Sequence, residues 1–183
     1  MKYCPSCGHP VAFLIPPGDN RPRAVCGHCG EIHYHNPRVI VGCVPEWQGC
    51  ILLCRRAIEP RRGFWTVPAG FLENGESLQA GAARESLEEA CARVEIGTLL
   101  AVVNVLHAEQ VHVMFRARLL RPEFASGEES LEVGLFEEER IPWGEIAFPS
   151  VRFALQRFLT DRRSGAEDLH FHDIERAPGE RAR

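Results

Sequence analysis

Two cysteine knuckles constrain the folding of this chain more than any other feature. Cys4-Pro-Ser-Cys7 and Cys26-Gly-His-Cys29 are C-x2-C pairs separated by eighteen residues. A glycine follows each pair (Gly8, Gly30), so the backbone can turn tightly and aim two sulfurs at one ion. Four thiolates fill the tetrahedral shell of Zn2+, which makes a structural rather than a catalytic centre. The surrounding stretch needs such a clamp, because outside residues 11–15 it is too poor in apolar side chains to fold on burial alone. Free buried thiols or a redox pair are the alternative, and the repeated spacing favours zinc on Cys4, Cys7, Cys26 and Cys29. His9 and His28 lie beside the knuckles and are expected at the surface, since four thiolates already close the site. Cys43, Cys50, Cys54 and Cys91 lack ligand spacing and read as small apolar residues.

Composition divides the chain into residues 1–35, 36–160 and 161–183. Asn36-Pro37 is a natural break. Beyond it, apolar runs at 39–44 and 51–53 flank a turn near Gln48-Gly49, and further runs at 64–67, 94–96, 99–105 and 111–120 predict strands. Helical patterns cover residues 77–90 and 151–159. Strands alternating with two helices predict an α/β fold with a mixed sheet between helices. Residues 161–183 are charge-rich and poor in aliphatics, which predicts a loosely held tail. An apolar fraction of 45% supports a proper core over 183 residues. The net charge of -4 argues against nucleic acid as the main partner. The first 35 residues add few bases beyond Lys2, Arg21 and Arg23. No apolar run reaches the roughly 20 residues of a membrane span, and none of signal length opens the chain. A cytoplasmic address follows as an expectation, where cysteines serve as metal ligands more often than as disulfides.

The richest segment is Gly70 to Ala90. On a helix, Ala80, Ala83, Leu87, Ala90 and Cys91 fall on one stripe, expected to bury against the sheet, with Glu85, Glu88 and Glu89 on the opposite face. Like charges at this spacing repel by roughly 0.2–0.5 kcal/mol per pair. All three also stand toward the negative end of the helix. Arg84 can pair with Glu88 and relieves only part of this. A divalent cation would relieve the rest, and carboxylate oxygens with open positions suit Mg2+ or Mn2+. A solvated acidic face is the plain alternative.

The upstream residues bear on that choice. Gly70, five residues, Glu76, seven residues, Arg84-Glu85, two residues, Glu88-Glu89 resembles the Nudix box, the signature of hydrolases acting on nucleoside diphosphates linked to another group. The resemblance implies a Nudix-type α/β/α sandwich preceded by a small zinc ribbon, with the box as a loop–helix–loop. It implies Glu85 and Glu89 as main ligands of catalytic Mg2+ or Mn2+, with Glu88 joining directly or through water. Glu76 and Arg84 would fix the geometry, and a carbonyl near Ala69-Gly70 is often a further ligand. Three positions depart from the pattern: Ser86 and Ala92 replace bulky aliphatics, and Cys91 replaces the glycine after the helix. The last makes a left-handed stop less favourable.

Cleaving a diphosphate also needs a base for the attacking water. In related enzymes it lies in the box or in a later loop. The acidic segment Glu128-Glu129-Ser130-Leu131-Glu132 is the candidate loop here, with Glu132 preferred and a solvated loop as the alternative. Arg56 is the candidate phosphate contact. Phe64, Trp65 and Phe71 could stack on a base, although core packing is their default role. The arrangement from the knuckles through Trp65-Thr-Val-Pro-Ala-Gly70 to Ile141-Pro-Trp143 and Ala147-Phe-Pro149 looks like a zinc-ribbon Nudix group that cleaves ADP-ribose and FAD. NADH pyrophosphatases carry a Ser-Gln-Pro-Trp-Pro-Phe-Pro-like segment where this chain reads Val103-Asn-Val-Leu-His-Ala-Glu-Gln-Val111, so NADH ranks second. Enzymes of this kind are often homodimers. A non-catalytic nucleotide sensor is the rival class, and the intact set of box carboxylates favours the enzyme.

Overall fold

The computed structural model describes residues 1–175, which form two compact units, Met1–Pro37 and the chain from Arg38 onward. The first is a three-stranded antiparallel sheet of β1 (Val11–Leu14), β2 (Arg23–Cys26) and β3 (Ile32–His33), with the knuckles at its turns. Its buried apolar side chains are Cys4, Pro16, Ala24 and Cys26, so no aliphatic core holds it.

The second unit is built on a mixed sheet. Its strands are β4 (Arg38–Trp47), β5 (Cys50–Arg56), β6 (Trp65–Thr66), β7 (Ala69–Phe71), β8 (Val94–Val105), β9 (Gln110–Leu119), β10 (Ser130–Phe136) and β11 (His170–Ile174). The spatial order is β10-β5-β4-β9-β8-β11, with β6 against β5 and β7 against β4. The pairs β4–β9 and β8–β11 are parallel, and the other pairs are antiparallel. Alternation along the strands sends Val41, Cys43, Val113, Phe115 and Ala117 to one face, where Ala82 of α1 (Leu78–Ala90) joins them. Val103, Val105 and Met114 go to the other face, against Val151, Leu155 and Phe158 of α2 (Pro149–Ser164). Two helices thus cover a central sheet, the expected three-layer arrangement. Among the described residues no helix is long and apolar enough to cross a membrane.

Three expectations need correction. The predicted apolar stripe of α1 is not its buried face: Leu87 is 49% exposed, Ala80 and Cys91 are exposed, and Gly81, Ala82, Glu85, Ser86, Glu89 and Ala90 are buried. The close fit against the sheet selects small side chains there, and the two acids come with them. The residues after Thr160 are not a loose tail as far as they are described. Helix α2 runs on to Ser164, and β11 adds to β8 with His170 opposite Ala101 and Ile174 opposite Val105. Asp161 is buried and accepts hydrogen bonds from Arg116 and from His170 Nε2 at 2.9 Å, which ties that end of the chain to β9. Residues 176–183 lie outside the described part. Finally, Ser130–Phe136 is a strand, so the acidic segment is only half loop.

Candidate active site

The site grows from the way α1 is started and stopped. Ser77 caps the helix by accepting a hydrogen bond from the Ala80 N–H at 3.2 Å. Cys91 ends it in the left-handed region at φ 49°, and the Cys91 and Ala92 N–H groups close on the carbonyls of Leu87 and Ser86. The stop occurs without the glycine usual there, so the residue carries conformational strain. Between these ends the helix lies against β7, and the approach is close. A Cβ on Gly70 would fall 2.4 Å from the Glu85 carboxylate. A side chain there would push the Glu85 carboxylate out of its present position.

Arg84 organises the carboxylates. Its Nε and Nη2 donate to Glu76 at 3.1 and 2.7 Å, its Nη1 donates to Glu85 at 2.7 Å and to Glu88 at 2.9 Å, and Nη2 also reaches the Phe71 carbonyl at 3.0 Å. Glu76 in turn accepts from the Glu73 N–H at 2.8 Å. This pairing holds the Glu76 carboxyl below the usual range and the guanidinium above its own. Glu85 and Glu89 are 8% and 6% exposed. Burial pushes Glu85 up. Burial, then the charge of Glu85, pushes Glu89 up to about 8, against a single N–H bond from Ala69 at 3.3 Å and the more distant Arg56. Two buried acids that share one guanidinium, on Glu85, with no direct ion pair on Glu89 among the described residues, fit a bound divalent ion, and their oxygens are hard donors. Glu85, Glu88 and Glu89 would hold it.

A cleft of about 1330 Å3 opens over these residues. Arg56 lines it, with its guanidinium 5.0 Å from the ring of Phe148, as do Phe71, Arg84, Glu85, Glu88 and Glu89. Glu128 and Glu129 also line it, and the charge of Glu129 acts on both Glu85 and Glu89. Their loop is pinned to the end of α1 by Ala125 and Gly127 N–H bonds to the carbonyls of Ala90 and Glu89, at 2.9 and 3.0 Å. A Cβ on Gly127 would meet the Glu88 carbonyl oxygen at 1.7 Å, so only glycine permits the contact. Glu132 is elsewhere. It stands on β10, exposed, with Arg55 Nη1 at 3.5 Å from its carboxylate, and is not among the residues lining the cleft. Trp65 is packed into the core, and Phe64 is absent from the cleft wall. Sequence reasoning passed over His112 and Gln110 on β9 and Ile174 on β11, which line the cleft. An alternating strand gives no sign of which inward residues border a ligand.

In the first unit, the Sγ atoms of Cys4, Cys7, Cys26 and Cys29 all lie within 4.8 Å of one another, with neighbouring pairs at 3.5 to 3.7 Å. Zn–S bonds of about 2.3 Å place tetrahedral sulfurs about 3.8 Å apart, so the cage fits that ion. Backbone N–H groups of Cys29 and His28 pull the Cys26 thiol down to about 6, toward the thiolate that metal binding requires. His33 Nε2 stands 3.3 Å from Cys4 Sγ, an outer contact absent from the sequence reading. His9 and His28 are exposed and stack on each other, with ring centroids 3.7 Å apart.

Comparisons with known proteins agree with this layout. The zinc-ribbon model described as Nudix N-terminal matches residues 2–35, and the NUDIX domain model matches residues 36–151. The NAD-capped RNA hydrolase NudC of Salmonella heidelberg (strain SL476) is 38% identical over 96 residues, which are 51% of this chain and 35% of that protein. The chain therefore spans about a third of the length of the curated relatives it matches. Among solved structures, a NUDIX hydrolase from Nitrosomonas europaea is 53% identical with a TM-score of 0.93, over 96% of this chain and 100% of that one. An ADP-ribose pyrophosphatase from Streptococcus suis 89-1591 is similar in fold alone, at 22% identity and a TM-score of 0.59, over 76% of this chain and 100% of that one. With its box on a capped helix under a deep cleft and its four-cysteine module in front, the chain belongs to the Nudix family.

Proposed function

We propose that this protein is a Mg2+- or Mn2+-dependent pyrophosphatase that cleaves the diphosphate of a nucleoside diphosphate derivative. The observation that carries this reading is the burial of Glu85 and Glu89 side by side in one cleft, with the Glu89 proton held to about 8 in the absence of a cation. Such a pair is costly unless a divalent ion occupies it. When bound, the ion would neutralise the diphosphate charge and acidify a coordinated water. The chain's own groups do the rest. Arg84 fixes the directions of Glu85 and Glu88, and Glu76 fixes Arg84. Arg56 faces the same cleft and pairs with phosphate oxygens. Glu129, brought to the cleft by the Gly127 contact, takes the proton of the attacking water in place of Glu132, which β10 carries away.

ADP-ribose and FAD are the first substrates to test, giving AMP with ribose 5-phosphate or FMN. The stretch from Val103 to Val111, which lacks the proline- and aromatic-rich segment of NADH pyrophosphatases, supplies Val105, His107, Ala108 and Gln110 to the cleft wall. A departure there bears directly on substrate choice. NAD-type dinucleotides are the second reading, favoured by the likeness to NudC, and NAD-capped RNA enters the panel for the same reason. The reduced knuckle thiolates suit a cytoplasmic setting.

The test is AMP release from ADP-ribose, FAD and NADH, and nicotinamide mononucleotide release from an NAD-capped RNA, with and without Mg2+. Glu89→Gln should lower kcat by roughly a hundredfold or more, and Glu129→Gln by about 10²–10⁴-fold, while Glu132→Gln changes little. Tight nucleotide binding with silence on the whole panel would establish the sensor instead.

A further inference from the structure

The four-cysteine cage does not use every metal-ligating group that its own sheet brings to it. Glu31 and His33 stand two apart along the chain at β3, a spacing that puts both side chains on one face of a strand. Backbone pairing fixes that strand. His33 is opposite Ala24 on β2, and the Cys26 N–H donates to the Glu31 carbonyl at 2.9 Å. Both side chains arrive at the same sulfur: His33 Nε2 lies 3.3 Å from Cys4 Sγ, and Glu31 Oε2 lies 3.9 Å from it. One ligand atom from each of the three residues lies within 4.8 Å of the other two. Cys4 is buried, His33 is half-buried and Glu31 is exposed, so the group leads from the cage to solvent.

A carboxylate beside this sulfur is out of place once the cage is loaded. In the metal-free chain the Cys4 thiol donates its hydrogen to Glu31. Zinc in the cage removes that hydrogen, because the metal ligand is the thiolate. Glu31 then faces an anion, in a cage of four thiolates whose charge one divalent ion does not cancel. A neutral His33 donating N–H to the sulfur would leave that repulsion in place. We propose that Cys4 Sγ, His33 Nε2 and the Glu31 carboxylate form a second metal site of the ribbon, which takes a divalent ion of the Zn2+ class and shares the Cys4 thiolate with the cage. Thiolate and imidazole donors select Zn2+ and its neighbours over Mg2+, which takes oxygen ligands. The S–N and S–O spacings of 3.3 and 3.9 Å fall either side of the roughly 3.6 Å that tetrahedral zinc bond lengths give. Three protein ligands leave a position for water, unlike the closed cage. The second ion is therefore held more weakly, and it enters only when Zn2+ is supplied beyond the cage's equivalent.

The experiment is a Zn2+ titration of the full chain already holding one equivalent of zinc, read at the histidine ring nitrogens by 15N NMR. Mg2+ is kept in excess to occupy the cleft carboxylates, and zinc that enters the cleft leaves the His33 signal untouched. The His33 Nε2 resonance should shift as further Zn2+ binds and then saturate. In Glu31→Gln the midpoint of that shift should rise about tenfold or more. His33→Ala should bind one zinc fewer than the wild type at the same excess, by native mass spectrometry. Both variants should keep the dispersed amide signals of the ribbon at the first equivalent. Glu31→Gln keeps the proposal testable should His33→Ala loosen β3, since it preserves the side chain's shape. A His33 ring that stays protonated or unshifted through about a tenfold excess of Zn2+ would overturn it, as would a midpoint unchanged in Glu31→Gln. Excess zinc that moves only the exposed His9 and His28 rings would do the same.

Discussion

A carboxylate that holds its proton to about 8 couples the stability of the whole fold to pH. Glu89 has an ordinary value of 4.5 and is raised by burial and by the charge of Glu85. Between these two values the folded, metal-free protein keeps a proton that the unfolded chain has released. Stability therefore falls as pH rises through the window from about 4.5 to about 8, the direction opposite to that of a salt-bridged acid. A divalent ion competes with that proton, so the stabilisation conferred by Mg2+ should grow with pH across the same window. Thermal melts of wild type and Glu89→Gln from pH 5 to 8 would measure this. The wild type should lose Tm relative to the variant as pH rises without Mg2+ and regain it when Mg2+ is added. Parallel curves for the two proteins would show that Glu89 does not titrate in that range. Single residues also mark where sequence reading reached its limit. The spacing of the acids was visible in the chain, but that Glu85 and Glu89 are buried, with Glu85 close against Gly70, was not.

At the scale of elements, α1 shows why hydrophobic periodicity chose the wrong face. Its buried positions are Gly81, Ala82, Glu85, Ser86, Glu89 and Ala90, which carry little apolar signal, while Leu87 projects into solvent. The extent of the helix was legible within a residue, since the pattern covered 77–90 and Ser77 proves to be its cap, and its stop at Cys91 was the doubtful point. That stop yields a prediction. A non-glycine residue in the left-handed region is strained by about 1–2 kcal/mol, part of which glycine returns through its freer unfolded state. Cys91→Gly should stabilise the protein by about 0.5–1 kcal/mol, read as a Tm higher by about 1–4 °C. An unchanged or lower Tm would mean that the Cys91 side chain makes a compensating contact. Strands β4, β5, β8 and β9 were readable from alternating or continuous apolar runs. The segment His170-Phe-His-Asp-Ile174 was not, because only its ends are even half-buried and its strand character comes from the free edge of β8. The same holds for β10, whose exposed Glu132 made it read as loop. The loop before it carries Glu129 to the cleft through backbone bonds that no composition reveals.

At the scale of the whole molecule, the two units draw their stability from different sources. From Arg38 onward, a sheet buries aliphatic side chains against a helix on each face. The first unit buries only Cys4, Pro16, Ala24 and Cys26 among its apolar residues and leaves Phe13, Leu14 and Ile15 exposed. Two sequence readings meet here, the want of apolar residues and the knuckle spacing, and both lead to a metal in place of a core. Structural zinc contributes about 10–16 kcal/mol of apparent binding energy to small modules of this kind, enough to replace the missing burial. The units should therefore unfold separately. Replacing Cys4 and Cys26 together by serine removes two thiolates without touching the cleft. In an amide NMR spectrum the double variant should lose the dispersed signals of Met1–Pro37, while the strand signals of β4, β8 and β9 persist and Mg2+ still shifts the residues around Glu85 and Glu89. Mass spectrometry under native conditions should show the loss of one zinc. Collapse of the entire spectrum would instead mean that the α/β unit needs the ribbon to fold, and an unchanged ribbon would mean that the four thiolates do not hold it together.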